Sequence, residues 1–331
     1  MRSVWRKGVK EMDTYLGIDY GGTKLLIGEV REDGVLLKYR RYPTGLTGQE
    51  EIAAHLLQCL DNYVAEEAPE GRIRGAGIGI VGISDFKNGI WHSVNHEEGI
   101  PLPLAQMAAE RLGVETGIDN DVRSAAAAEL LWGEGKNCSD FIYVNAGTGL
   151  AAGFVIDGKV LHGAHCDAGE IGHMVVDYRS SRNCVCGRKG CCELTASGIG
   201  IHRMVEERRA DAPAELLELG KSGRYPAAAV FRMAREGSEF CLSIAEEAAS
   251  VLGCTIMNLV RMSDPDMVVA GGGLMSDPWF FQRVEGYLEK VTMRHVSKGF
   301  RVSGFAPAFS GVIGAAAVGR LKSGREGRNI I

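Results

Sequence analysis

Apolar and polar positions along the chain spell out two similar programmes. Thr14 to Asp19 is a short, β-prone apolar run, and Gly21-Gly22 follows it. Lys24 to Val30 reads as a second strand, Glu32-Asp33-Gly34 as a turn and Val35 to Tyr42 as a third strand. Between Gln49 and Glu67 the apolar residues Ile52, Leu56, Leu60 and Val64 recur at the spacing of one helix face. Ile73 to Val81 is strand-like, Pro101 to Leu112 helical, Val114 to Ile118 extended, and Val122 to Trp132 helical and rich in Ala.

The second programme starts at Phe141. A strand to Asn145 enters a turn with Gly147 and Gly149, and Leu150 to Ile156 is the return strand. Asp157-Gly158 makes a hairpin turn into Val160. Helices are expected over Gly198–Arg209, Tyr225–Glu236, Ser238–Arg261 and Trp279–His295. Met267 to Ala270 is a buried strand entering Gly271 to Gly273, Phe300 to Phe305 is extended, and Val312 to Leu321 is a closing helix. Each half therefore opens with strand, glycine turn and strand, a duplication of architecture without a residue-by-residue repeat.

Composition narrows the classes. A chain of 331 residues with 45% hydrophobic and 24% charged positions can bury two globular cores. A net charge of -5 offers no basic face for nucleic acid or an anionic membrane. No run of about 18 apolar residues is present, so no membrane span is expected. The first twelve residues lack the apolar centre of a signal peptide, and Met12 stands directly before the first strand as an alternative start. Without an export signal, nine cysteines are expected reduced, in the cytoplasm, and the four within Cys184 to Cys192 point to metal rather than disulfides.

The glycine turns carry chemistry. In Asp19-Tyr20-Gly21-Gly22-Thr23-Lys24 the two glycines let backbone N–H groups approach phosphate oxygens. Asp19 could hold Mg²⁺ through water, while Thr23 and Lys24 could reach phosphate. Asn145 to Gly149, with Gly147, Thr148 and Gly149, repeats the arrangement, and Gly271, Gly272 and Gly273 add a third turn. None of the three fits a Walker A or dinucleotide fingerprint. A carboxylate such as Asp121, at the head of an Ala-rich helix after Asp119-Asn120, ordinarily serves as a cap. Cys184-Val-Cys186-Gly-Arg-Lys-Gly190-Cys191 brings three thiols together, with His173 eleven residues upstream. That set suits tetrahedral zinc, although the tight C-x-C spacing alone leaves a redox pair or a looser metal site open.

In the order of these motifs, from Thr14 to Leu321, the chain resembles the ROK family (repressors, open reading frames, kinases) of the actin-like sugar kinase superfamily. The resemblance implies a two-domain, actin-like (ribonuclease H-like) α/β fold that closes on ATP·Mg²⁺ and a sugar in a cleft between domains. The domains would be 13–121 and 122–331. The zinc module would lie at 173–193, and the last helix, about 310–322, would pack back on the first domain. Asp121 matches the catalytic aspartate of the family's E-N-D-A-N-A segment. Its implied role is general base as a hexose 6-hydroxyl, glucose by default, attacks the γ-phosphoryl group.

Asn95, Asn120, Glu170, His173 and Glu193 match sugar contacts, and the three glycine turns match the ATP-binding turns. His173, Cys184, Cys186 and Cys191 match the zinc ligands, with Cys192 beside them as a packing thiol. Three thiolates and one imidazole close the coordination shell, so the zinc would be structural. Family habit implies a homodimer. The chain departs from the pattern at Asp119, Val122 and Arg123, at the worn loop Val81 to Asp85, and at His96 to Ile100. An amino-sugar or glycoside kinase, such as one for N-acetylmannosamine, therefore stays open beside glucose. A repressor of this family would need a helix-turn-helix ahead of the first turn, and eighteen residues before Asp19 are too few. A sugar sensor without catalysis is the rival from another class.

Overall fold

The computed structural model describes residues 12–22, 24–94, 99–221 and 223–324. They form two compact units, one drawn from residues 12–137, 160–168 and 308–324, the other from 138–159 and 169–307.

In the first unit the strands are β1 (Asp13–Tyr20), β2 (Lys24–Arg31), β3 (Leu36–Pro43), β4 (Arg72–Ile80), β5 (Ile83–Asp85), β6 (Ile90–Ser93) and β7 (Thr116–Asn120). Helices α1 (Gln49–Glu66), α2 (Leu104–Leu112) and α3 (Asp121–Trp132) follow the order of the chain. The second unit has β8 (Phe141–Ala146), β9 (Leu150–Ile156), β10 (Lys159–Val160), β11 (Met267–Gly271) and β12 (Gly299–Val302). Its helices are α4 (Glu193–Ala196), α5 (Gly198–Glu207), α6 (Ala214–Gly220), α7 (Ala227–Arg235), α8 (Glu239–Ser263), α9 (Pro278–Gly286) and α10 (Lys290–Met293). The chain ends on α11 (Ser310–Ser323), which belongs to the first unit.

The duplication shows in strand order. The first sheet runs β3-β2-β1-β4-β7 and the second β10-β9-β8-β11-β12. In each, the strand before the glycine turn pairs antiparallel with the next strand and parallel with a later one. Tyr20 faces Leu25 across the first turn and Ala146 faces Leu150 across the second.

Helix α11 lies directly on the first sheet. A Cβ at Gly17 of β1 would fall 1.9 Å from the Val312 carbonyl oxygen, and one at Gly77 of β4 1.9 Å from that of Ala315. Strand glycines outside any turn thus let a helix backbone touch a sheet. The Ala-rich face of α3, buried from Val122 to Glu129, packs on the same helix.

Three expectations are revised, and one helix needs a reading of its own. The boundary at 121/122 moves, because α3 packs on α11 and its Trp132 Nε1 donates to Glu32 O at 2.8 Å, placing 122–137 in the first unit. The 279–295 helix breaks after Gly286, where Tyr287 turns in against Gly253 of α8 and its hydroxyl donates to Glu246. The helix expected from Pro101 starts at Leu104, since Leu102 instead pairs with Trp91 through both its backbone N–H and its carbonyl. Lastly, α8 is long and apolar enough to span a membrane by length and composition. It is a core helix here: Ile244, Ala248, Leu252, Ile256 and Leu259 are fully buried, while Glu246 and Glu247 pair with Arg283, Arg182 and Arg208.

Candidate active site

Strand β7 ends on Asn120 and α3 begins at Asp121, and the two side chains have different work. The Asn120 carboxamide oxygen accepts the Val122 N–H at 2.9 Å and the Arg123 N–H at 3.4 Å, so it caps the helix. The Asp121 carboxylate is thereby relieved of capping. Burial, ahead of every other influence, raises its pKa, and the Val122 backbone N–H pulls it back.

Asp19, at the end of β1, is raised to about 7, first by burial and then by the Asp121 carboxylate, with Lys24 opposing. Two carboxylates that repel each other in a half-buried corner form a natural seat for a hydrated dication. The first turn of α11 closes that corner: a Cβ at Gly311 would come within 2.3 Å of the Asp19 carboxylate.

The first glycine turn is closed by Gly21 N–H donating to Lys24 O at 3.0 Å, and Thr44 Oγ1 donates to Gly21 O at 3.2 Å. Gly22 is exposed. Lys24 Nζ donates to Ala308 O at 2.7 Å, just ahead of α11, which leaves two of its three protons for a phosphate. Thr23 and Asn95 lie outside the described residues.

In the second unit, Gly147 N–H donates to Gly149 O, and the first amides of α5 hold the same turn, Gly198 N on Gly147 O at 2.9 Å and Ile199 N on Thr148 O at 3.0 Å. The third turn packs beneath it. Gly272, at φ +87°, meets the Ala146 carbonyl, and Leu274 N–H donates to that oxygen at 3.0 Å. Gly271 is buried under the Tyr143 hydroxyl, while Gly273 joins Gly147, Thr148 and Gly198 around a pocket of about 560 Å³. Arg224, Tyr225, Phe231 and Asp277 complete its walls. Sequence reading passed over these four; Arg224 and Tyr225 are signalled only by a Gly-Arg-Tyr-Pro turn ahead of α7, and Phe231 and Asp277 by nothing local.

Glu193 starts α4, and its Oε2 accepts the Leu150 N–H at 2.9 Å, which fixes the carboxylate beside Gly149. Glu170 precedes the single 3₁₀ turn Ile171–His173.

His173, Cys184, Cys186 and Cys191 offer ligand atoms all within 4.8 Å of one another. His173 Nδ1 lies 3.3 Å from Cys184 Sγ, and Cys186 Sγ 3.5 Å from Cys191 Sγ. Zinc–sulfur bonds of about 2.3 Å in a tetrahedron put neighbouring ligands roughly 3.7 Å apart, so the four groups fit that ion. Gly187 (φ +84°) and Gly190 (φ +72°) make the bends that turn the thiols inward. The Arg188 backbone N–H lowers the Cys186 thiol to about 7, toward the thiolate a metal requires. Arg188 also holds His173 O through its guanidinium. Cys192 is buried, donates to Ile171 O at 3.0 Å and is pushed up to about 11 by burial, as befits a packing thiol.

The profile of the ROK family matches residues 15–320. The chain belongs to the ROK family. A glucokinase of Halalkalibacterium halodurans is 30% identical over 297 residues, 87% of this chain and 90% of that protein. A xylose repressor of Caldicellulosiruptor bescii is 28% identical over 79% of this chain and 66% of the repressor. Among solved structures, the ROK family glucokinase from Streptomyces griseus, in complex with glucose and AMPPNP, superposes with a TM-score of 0.75 at 25% identity, covering 93% of this chain and 99% of that one. The fold of this ROK chain is accordingly actin-like.

Proposed function

We propose that the protein is an ATP-dependent sugar kinase in which Asp121 accepts the proton of a hexose hydroxyl as that oxygen attacks the γ-phosphorus of ATP and ADP departs. Glucose, phosphorylated at its 6-hydroxyl, is the first candidate; an amino sugar such as N-acetylmannosamine, or a glycoside, is the second. One observation carries the reading: the Asn120 side chain caps α3, so Asp121 is a half-buried carboxylate at a helix start that is not the cap and has a raised proton affinity. A base matched to its task needs such a shift.

Within the first unit, Asp121 and Asn120 would serve the sugar and Asp19 magnesium through water, as the family resemblance implies. Within the second unit, the Gly147-Thr148-Gly149 turn and the Gly273 pocket would serve a nucleotide, and Glu170, Glu193 and His173 match the family's sugar contacts. His173 turns Nδ1 to the thiols, so the sugar contact falls to Nε2. Magnesium would neutralise charge building on the phosphates. Zinc on His173, Cys184, Cys186 and Cys191 would hold the loop between Glu170 and Glu193 in shape. We place the enzyme in the cytoplasm as a homodimer, following the family's habit.

ADP release with ATP·Mg²⁺ is to be measured against glucose, mannose, N-acetylmannosamine, N-acetylglucosamine, fructose, allose and glucosides. One preferred sugar is expected. Silence across the panel in folded, zinc-loaded protein would point to a rarer sugar or to a sugar sensor, and would overturn glucose and the amino sugars as substrates.

A further inference from the structure

Asp119 and Arg123 are each 2% exposed and form an ion pair, Nε to Oδ1, at 2.8 Å. Taking two charges out of water is costly unless their remaining lone pairs and protons are met. Asp119 is met throughout: Oδ1 also accepts the Asn120 N–H at 2.8 Å, and Oδ2 lies 2.7 Å from His162 Nε2. Arg123 donates Nη1 to Ala168 O at 3.2 Å, while buried Nη2 has no acceptor among the described residues. His162 is stacked on Phe86, ring centroids 4.9 Å apart, and Lys322 Nζ of α11 donates to the Phe86 carbonyl at 3.4 Å. All of these residues belong to the first unit.

The network brackets one dipeptide. Asn120 has its N–H on Asp119, its carboxamide oxygen on two α3 amides and its Nδ2 3.5 Å from Gly82 O. Its N–H and both ends of its carboxamide are thus engaged, and Asp121 is its peptide neighbour. A buried ion pair is a poor way to gain stability, since apolar groups of similar volume often do as well or better. What a guanidinium and a carboxylate add is direction.

We propose that Asp119, Arg123 and His162 form a positioning network that fixes the Asn120-Asp121 pair for phosphoryl transfer, without touching proton or phosphate themselves. The inference rests on the reading of Asp121 as base. A misplacement of about 1 Å costs on the order of a hundredfold in rate, so loosening the network should be visible in turnover.

Arg123→Gln alone would strand the Asp119 charge, so the test uses Asp119→Asn with Arg123→Gln, together with Arg123→Lys, His162→Ala and His162→Gln. For the double variant, kcat is expected to fall about tenfold or more. Its KM for ATP should stay within roughly twofold, and its thermal midpoint and zinc content should show a folded protein. Arg123→Lys should recover part of that loss. His162→Gln, which keeps a donor for Asp119, should recover most of what His162→Ala loses. A folded double variant with wild-type kcat and sugar KM would overturn the proposal. If the double variant does not fold, wild-type kinetics in His162→Ala would do the same. Asp121→Asn is assayed alongside: its retaining turnover would sink the base reading alone, since Asn120 placement is still read through the sugar KM.

Discussion

Asn120 and Asp121 are neighbours at the start of α3, and a cap of about 1 kcal/mol separates their roles. Sequence alone offered capping as the ordinary use of Asp121. The structure gives that use to Asn120, and this frees the next carboxylate for chemistry. Asp121→Asn should therefore leave folding and sugar binding in place while turnover falls by about a hundredfold to ten-thousandfold, the usual share of a general base. Thermal melts, sugar calorimetry and ADP release on one preparation check all three, and substantial turnover would mean another group takes the proton. Asp119 and Arg123 were visible only as departures from a family pattern. Their pairing with each other is a helical i,i+4 contact, but His162 is 43 residues away from Asp119 and nothing in its surroundings in the chain marks it.

Among the elements, hairpins and helix faces were legible because their causes are local. The glycine turns at 21–22 and 147–149 close antiparallel pairs as the pattern implied. Other glycines had a use the turns concealed: Gly17 and Gly77 make room for the backbone of α11, almost 300 and 240 positions further on. Gly77→Ala is accordingly expected to cost about 3 kcal/mol or more, since the new methyl meets a carbonyl rather than a flexible side chain. For a domain of this size that lowers the thermal midpoint by roughly 5 °C or more, readable by calorimetry; an unchanged midpoint would mean that α11 moves aside at little cost. Strand β5 with β6, and helix α6, escaped the sequence reading because each is short and mixed in polarity.

For the whole molecule, the cluster of His173, Cys184, Cys186 and Cys191 ties residues eighteen positions apart to one point. Cys184→Ser should abolish stoichiometric zinc, measured by elemental analysis, and weaken sugar binding, because the 170–193 loop loses its tie. Unchanged metal content would remove Cys184 from the ligand set. Glu193 is independently anchored by Leu150 N–H, so part of the sugar affinity should survive metal loss. The second unit draws further order from contacts far apart in sequence, such as Arg182 on Glu207 and Glu247.

The sequence by itself determined the strand–turn–strand openings, the amphipathic helices, the thiol spacing and the family, because each depends on residues within a few positions of one another or on their order. Only the tertiary structure decided that Gly17 and Gly77 make room for α11, that Gly271 lies under Tyr143 while Gly273 lines the pocket, and that Asp119, Arg123 and His162 form one network. The physical reason is the same in each case. Burial and a satisfied hydrogen bond are properties of groups brought together by the fold, and the partner's position in the chain leaves no mark on the local pattern.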